Sequence, residues 1–172
     1  RMVLRSIDCA AILGVKWVVI HAGTDFESPM LVKDSKEKNI EYFKPVLEHA
    51  AKKNIGIAIE NLWDLNIAPR RRYTTTAEEL VDLVDTLSKE YNNVGICWDF
   101  EHADIMKQGQ GPALKMIGSR LKATHVSDNI GIQNDHILPY SGYTDWTEIM
   151  QILKEIKYQG DFTYEIHRYI TQ

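Results

Sequence analysis

Basic charge is not in excess in this chain: 20 Lys and Arg stand against 24 Asp and Glu, a net charge of −4 over 172 residues. Nucleic-acid binders usually carry a basic face, so the balance argues against a nucleic-acid partner and leaves small polyols and anions open. Cysteine is scarce as well. Cys9 falls in a helical pattern and Cys97 inside an apolar run, and neither has a C-x-x-C companion. Both are expected to be reduced core residues of a cytoplasmic protein. No apolar run approaches the roughly 18 residues that a membrane span needs. Asp8 and Lys16 interrupt the N-terminal stretch RMVLRSIDCAAILGVKWVVIH, which would otherwise resemble a signal peptide. Linkers and low-complexity tracts are absent too, so the chain reads as one domain, residues 1–172. A helix-start signal is also missing. Ile7, Ala10, Ala11 and Gly14 fit the end of an amphipathic helix with a glycine stop, yet nothing caps its beginning.

What the chain does have is a repeated strand–helix pattern. Five apolar, β-branched runs stand out: WVVIH (17–21), IGIAIE (55–60), VGICWD (94–99), LKATHV (121–126) and DFTYEI (161–166). Continuous apolar runs of this length suit strands buried on both faces of a parallel sheet. Helix-period segments separate most of them. One carries Ile40, Phe43, Leu47 and Ala50 and runs to Asn54; a second opens with Thr76 and Glu79 in capping-box spacing. GPALKMIGSRL is shorter, and DWTEIMQILKEIKYQG places Gly160 at the expected stop. The spacing is that of βα units joined by crossover helices. The expected class is α/β, with at least five parallel strands.

Each of the five strands ends in a residue that binds divalent metals or moves protons: His21, Glu60, Asp99, His125 and Glu165. In a closed βα barrel all such ends converge on one face. A single polar residue at a strand end usually marks only the return to solvent; five in five is a joint pattern. Two glutamates, an aspartate and a histidine form an oxygen-rich set that suits Mn²⁺ first, with Mg²⁺, Co²⁺ or Zn²⁺ as alternatives. His102 follows Asp99 by three residues, and His167 follows Glu165 by two. His49 reads as a satisfied helix histidine, and Arg70, Arg71 and Arg72 as a solvated loop. Trp63, Trp98, Phe100 and Trp146 could form a sugar-binding wall, with core packing as the default.

Taken together, IAIEN, VGICWDFEHAD, THVSDN, NDHILPYSGYTDW and FTYEIH resemble the sugar phosphate isomerase/epimerase superfamily. This is the xylose isomerase-like TIM barrel group, which includes ketose 3-epimerases and endonuclease IV-type AP endonucleases. The resemblance implies that Glu60, Asp99, His125 and Glu165 ligate one divalent metal, and that Glu60 and Glu165 are also the acid–base pair. His102 matches a histidine that contacts substrate or a further metal and is expected to be catalytic, while His21, Trp63, His136 and Arg168 are expected as substrate contacts. His21 matches a zinc-bridging histidine of the AP endonucleases. Asn134 stands where those nucleases have a ligand aspartate, Tyr140 and Ser141 replace a Gly-Glu pair, and Gly131 replaces an arginine of some ketose epimerases. The first change, with the acidic balance, weakens a zinc-dependent nuclease reading.

Against this family His21 would end strand three and Glu165 strand seven of eight. The expected fold is therefore an incomplete (β/α) TIM barrel lacking its N-terminal strands, since a whole one needs about 250 residues. The expected function is a metal-dependent isomerase or epimerase of a small sugar or sugar derivative, working through a metal-stabilised enediolate. The alternative is an inactive barrel fragment that binds metal, in which a second copy could complete the barrel.

Overall fold

In a computed structural model of the chain, residues 2–65, 70–131 and 134–166 are described. Four of the five apolar runs become strands within a residue of the expected bounds: β1 (Trp17–His21), β2 (Gly56–Glu60), β3 (Val94–Asp99) and β4 (Leu121–Val126). The fifth, β5, is only Thr163–Tyr164. It lies at the sheet edge with a single neighbour and exposed side chains, so little holds the pairing beyond two residues, and Glu165 emerges just past it. The order is β1-β2-β3-β4-β5, every pair parallel. β1 and β4 approach one another across the concave face although they are not paired. The result is a five-stranded parallel half-barrel of α/β type.

Alternation along each strand divides the side chains between two faces. Ile57, Ile59, Ile96, Trp98 and Val126 turn outward and join Phe43, Leu47, Leu80, Leu83 and Ile149 in one continuous core beneath the helices. Each such side chain contributes about 1.5–3 kcal/mol by leaving water. Trp98, Phe100 and Trp146 belong to this core, which removes them from any sugar-binding wall. The inward residues line the barrel axis. A Cβ at Gly56 would meet the Trp17 ring, so glycine lets the indole lie across the neighbouring strand.

The helices are α1 (Met2–Leu13), α2 (Leu31–Ala51), α3 (Ala77–Leu87), α4 (Phe100–Ile105), α5 (Gln110–Ile117) and α6 (Trp146–Glu155). Thr76 caps α3 by accepting from Glu79 N, but the reciprocal half of the capping box is missing because the Glu79 carboxylate pairs with both terminal nitrogens of Arg71. Three expectations change. The turn after α6 is made by Lys157 in the left-handed region (φ 57°), not by Gly160. Cys9 is exposed on α1, whereas Cys97 is buried as expected. Finally, α4 was not expected at all. At six residues it shows no periodicity, and its start is set by Asp99, which accepts from His102 N.

Candidate metal centre

The C-terminal ends of the strands meet at one rim. One donor atom each from Glu60, Asp99, His125 and Glu165 lie within 4.8 Å of one another. Nδ1 of His125 is 3.1 Å from Glu60 Oε1, 3.0 Å from Glu165 Oε2 and 4.0 Å from Asp99 Oδ2. His21 joins from the edge strand, its Nε2 3.1 Å from Glu60 Oε2. Sheet register explains the meeting. Asp99 is the Cα partner of His125 and His21 that of Glu60, so inward-facing ends stand side by side.

The charges are arranged around a cation's place. Burial works against the Glu60 carboxylate, but hydrogen bonds from His125 and His21 win and hold it at about 2. Burial likewise opposes charge on His125, and hydrogen bonds with Cys97, Glu165 and Glu60 overcome it, raising the imidazole well above its ordinary value. The hydrogen bond from His125 lowers Glu165. Asp99 moves the other way: desolvation, then the Glu60 charge, push it well up. Its Oδ1 caps α4, while Oδ2 is buried and has no hydrogen-bond partner. An orphaned carboxylate oxygen beside two other carboxylates and an imidazole is what a divalent ion would satisfy, and the donor set fits one.

His102 is buried, and its Nδ1 lies 2.9 Å from the Asn61 carbonyl. A carbonyl can only accept, so Nδ1 carries the proton. Burial lowers the ring to about 4, leaving a neutral imidazole whose Nε2 is an acceptor. His136 is bound on both sides: Nδ1 donates to the Glu165 carbonyl (2.9 Å) and Nε2 accepts from Asn134 Nδ2 (2.6 Å). Trp63 is half buried on the loop after β2, outside the ligand set. Arg168 and His167 lie outside the described residues. His49 is satisfied by Asp8 at 2.9 Å.

Three further residues do work at the site that the strand-end pattern did not single out. Asn61 clips β2 to β3, its amide donating to the Asp99 carbonyl (2.9 Å) and accepting from Asp99 N (2.6 Å). Glu101 is fully buried and accepts from Ser127 Oγ (2.5 Å), Asp135 N and His136 N (3.1 Å), tying α4 to the loop that carries His136. Cys97, with Glu60 and His125, forms a second group of donors within 4.8 Å. Period-two alternation from Asp99 would have pointed to Cys97; Asn61 and Glu101 carry no such signal beyond being polar and near a strand-end carboxylate.

A family model described as xylose isomerase-like TIM barrel matches residues 1–170. The uncharacterized protein y4fM of Sinorhizobium fredii is 31% identical over 177 residues, covering 99% of this chain and 54% of its own length. The D-psicose 3-epimerase of Enterocloster bolteae is 35% identical over 85 residues, 49% of this chain and 26% of that one. Among solved structures, a D-tagatose 3-epimerase-like protein has a TM-score of 0.83 at 23% identity, covering 95% of this chain and 60% of that chain. The IOLI protein with a binding zinc atom has a TM-score of 0.80 at 23% identity, covering 98% and 60%. The chain spans about half the length of the curated relatives it matches.

Proposed function

The chain belongs to the xylose isomerase-like TIM barrel family, and from that footing we propose that it carries the metal-binding and proton-moving half of a sugar isomerase or epimerase. The observation that carries this reading is the meeting of Glu60, Asp99, His125 and Glu165 around an Asp99 oxygen with no hydrogen-bond partner. A divalent ion held by these four, Mn²⁺ first, would supply Lewis acidity to a sugar carbonyl and its neighbouring hydroxyl.

Glu60 and Glu165 divide the proton work. One takes the proton α to the carbonyl, and the other returns a proton on the opposite face or at the adjacent carbon. Before the substrate arrives Glu60 is held at about 2 and Glu165 is lowered too, so either can be the base; the one that returns a proton must first take one up, from a substrate hydroxyl or from solvent. His102 donates Nδ1–H to Asn61 and so turns Nε2 toward a substrate hydroxyl as acceptor. His21 at the open edge and Trp63 on the β2 loop are substrate contacts in this reading, as is Arg168. His136 acts through the Glu165 carbonyl it holds. The names of the similar proteins favour a ketose among small sugars.

Titrating the metal-stripped chain with Mn²⁺ tests the centre: one ion per chain is expected, lost in Glu165→Gln. The loaded chain is then offered ketoses in deuterium oxide, and deuterium entering beside the carbonyl is the expected sign of proton abstraction. Metal held without exchange on any ketose would leave a second reading, metal binding without turnover. Among the described residues β1 and β5 are the end strands of the sheet, and a further segment or a second copy could cover those edges.

A further inference from the structure

Cys97 is a nucleophilic side chain on the inner face that the proposed proton chemistry leaves unused. It points inward because it lies two residues before Asp99 on β3, and it is missing from the core beneath the helices. Its Cα partner across the sheet is Glu60. The two side chains therefore leave adjacent strands side by side, and donor atoms of Glu60, Cys97 and His125 lie within 4.8 Å of one another. We propose that Cys97 completes a second, softer ligand set with Glu60 and His125, so that the centre sorts divalent ions: thiophilic Zn²⁺ or Cd²⁺ through Cys97, hard Mn²⁺ or Mg²⁺ through Asp99 and Glu165.

Glu60 and His125 belong to both sets, which makes them mutually exclusive. Thiolate sulfur favours zinc-like ions, and carboxylates favour magnesium- and manganese-like ones. A second sign that a cation belongs here, shared with the proposed centre, is Asp99 Oδ2, buried and without a hydrogen-bond partner. Burial pushes the Cys97 thiol up to about 12, so it stays protonated without metal. On binding, the S–H bond breaks, a sulfur–metal bond forms and the proton leaves to solvent. The inference rests on the proposed centre for Glu60 and His125, for the cation place that Asp99 marks and for the competing set of Asp99 and Glu165.

The probe is Co²⁺, whose bond to thiolate gives a near-ultraviolet charge-transfer band. The background is Cys9→Ser, because Cys9 is an exposed thiol. The expected result is a thiolate–cobalt band in the metal-stripped chain, lost in Cys97→Ser and kept in Asp99→Asn. In Cys97→Ser the Zn²⁺ over Mn²⁺ affinity ratio should fall at least about tenfold. Cys97→Ala replaces Cys97→Ser if circular dichroism shows the serine variant misfolded. Mn²⁺ bound, with Co²⁺ giving no thiolate band, overturns this inference and leaves the proposed function standing. Neither ion bound overturns both.

Discussion

Metal uptake should release protons, and the metal-free electrostatics set how many. In the chain without metal, burial opposes charge on His125, but its hydrogen bonds, those to the Glu165 and Glu60 carboxylates among them, raise the imidazole and favour the imidazolium. A metal ligand must be neutral imidazole, so every bound ion displaces that proton. Because His125 is raised, the competing protonated form dominates throughout the neutral range, and lowering the pH strengthens the competitor. The apparent Mn²⁺ association constant should therefore rise about tenfold per pH unit between roughly pH 6 and 8, or ~1.4 kcal/mol per unit. Asp99, pushed up by desolvation and by Glu60, adds a second proton wherever it is neutral, and the slope then steepens toward about a hundredfold. Glu60, held at about 2, adds none. Calorimetry in two buffers of different ionisation enthalpy counts the protons directly. Equal binding enthalpies in both buffers, with an affinity flat across that range, would refute the reasoning, since the imidazolium would not be in the ion's way.

Other substitutions test the scaffold. Asn61→Ala removes two buried hydrogen bonds to the Asp99 backbone; each orphaned group costs about 1–3 kcal/mol, and urea unfolding should show it together with weaker Mn²⁺ binding. Glu101→Gln places an amide against N–H donors from Asp135 and His136; a loss of about 1.5–3 kcal/mol is expected, and an unchanged denaturation midpoint would contradict the tie between α4 and that loop. Leu80→Ala empties a fully buried core position and should cost about 2–5 kcal/mol with metal stoichiometry intact. Thr76→Ala strips the cap from α3 and should cost about 1 kcal/mol in the same assay.

Four strands and the meeting of their polar end residues were legible because parallel strands buried on both faces leave continuous apolar runs, and polar residues at their ends stand out. β5 was less so. Its pairing depends on one neighbour, which no local pattern records, and it stops at Tyr164, short of the expected 166. The helix α4 hid because Asp99 serves both as its cap and at the site, so one residue carried two messages. The protonated nitrogen of His102 depends on a carbonyl 41 positions away in sequence, and no local motif could announce it. Trp98 and Trp146 show the converse: aromatic residues beside a site look like a wall until the helices cover them. Cys9 failed as a core prediction because helical periodicity says which residues share a face, not whether anything packs against that face.

The capping bond of Asp99 also limits denticity. With Oδ1 held by His102 N and Glu60 Oε2 held by His21, these two carboxylates can each offer one oxygen. Counting one donor from each of the four residues, a six-coordinate ion would keep two positions for an incoming hydroxy-ketone. Calcium, which takes six to eight oxygens and favours bidentate carboxylates, would be left short. In the proposed centre the same hydrogen bond that starts the six-residue α4 would thus work against an abundant wrong cation by arithmetic rather than by size.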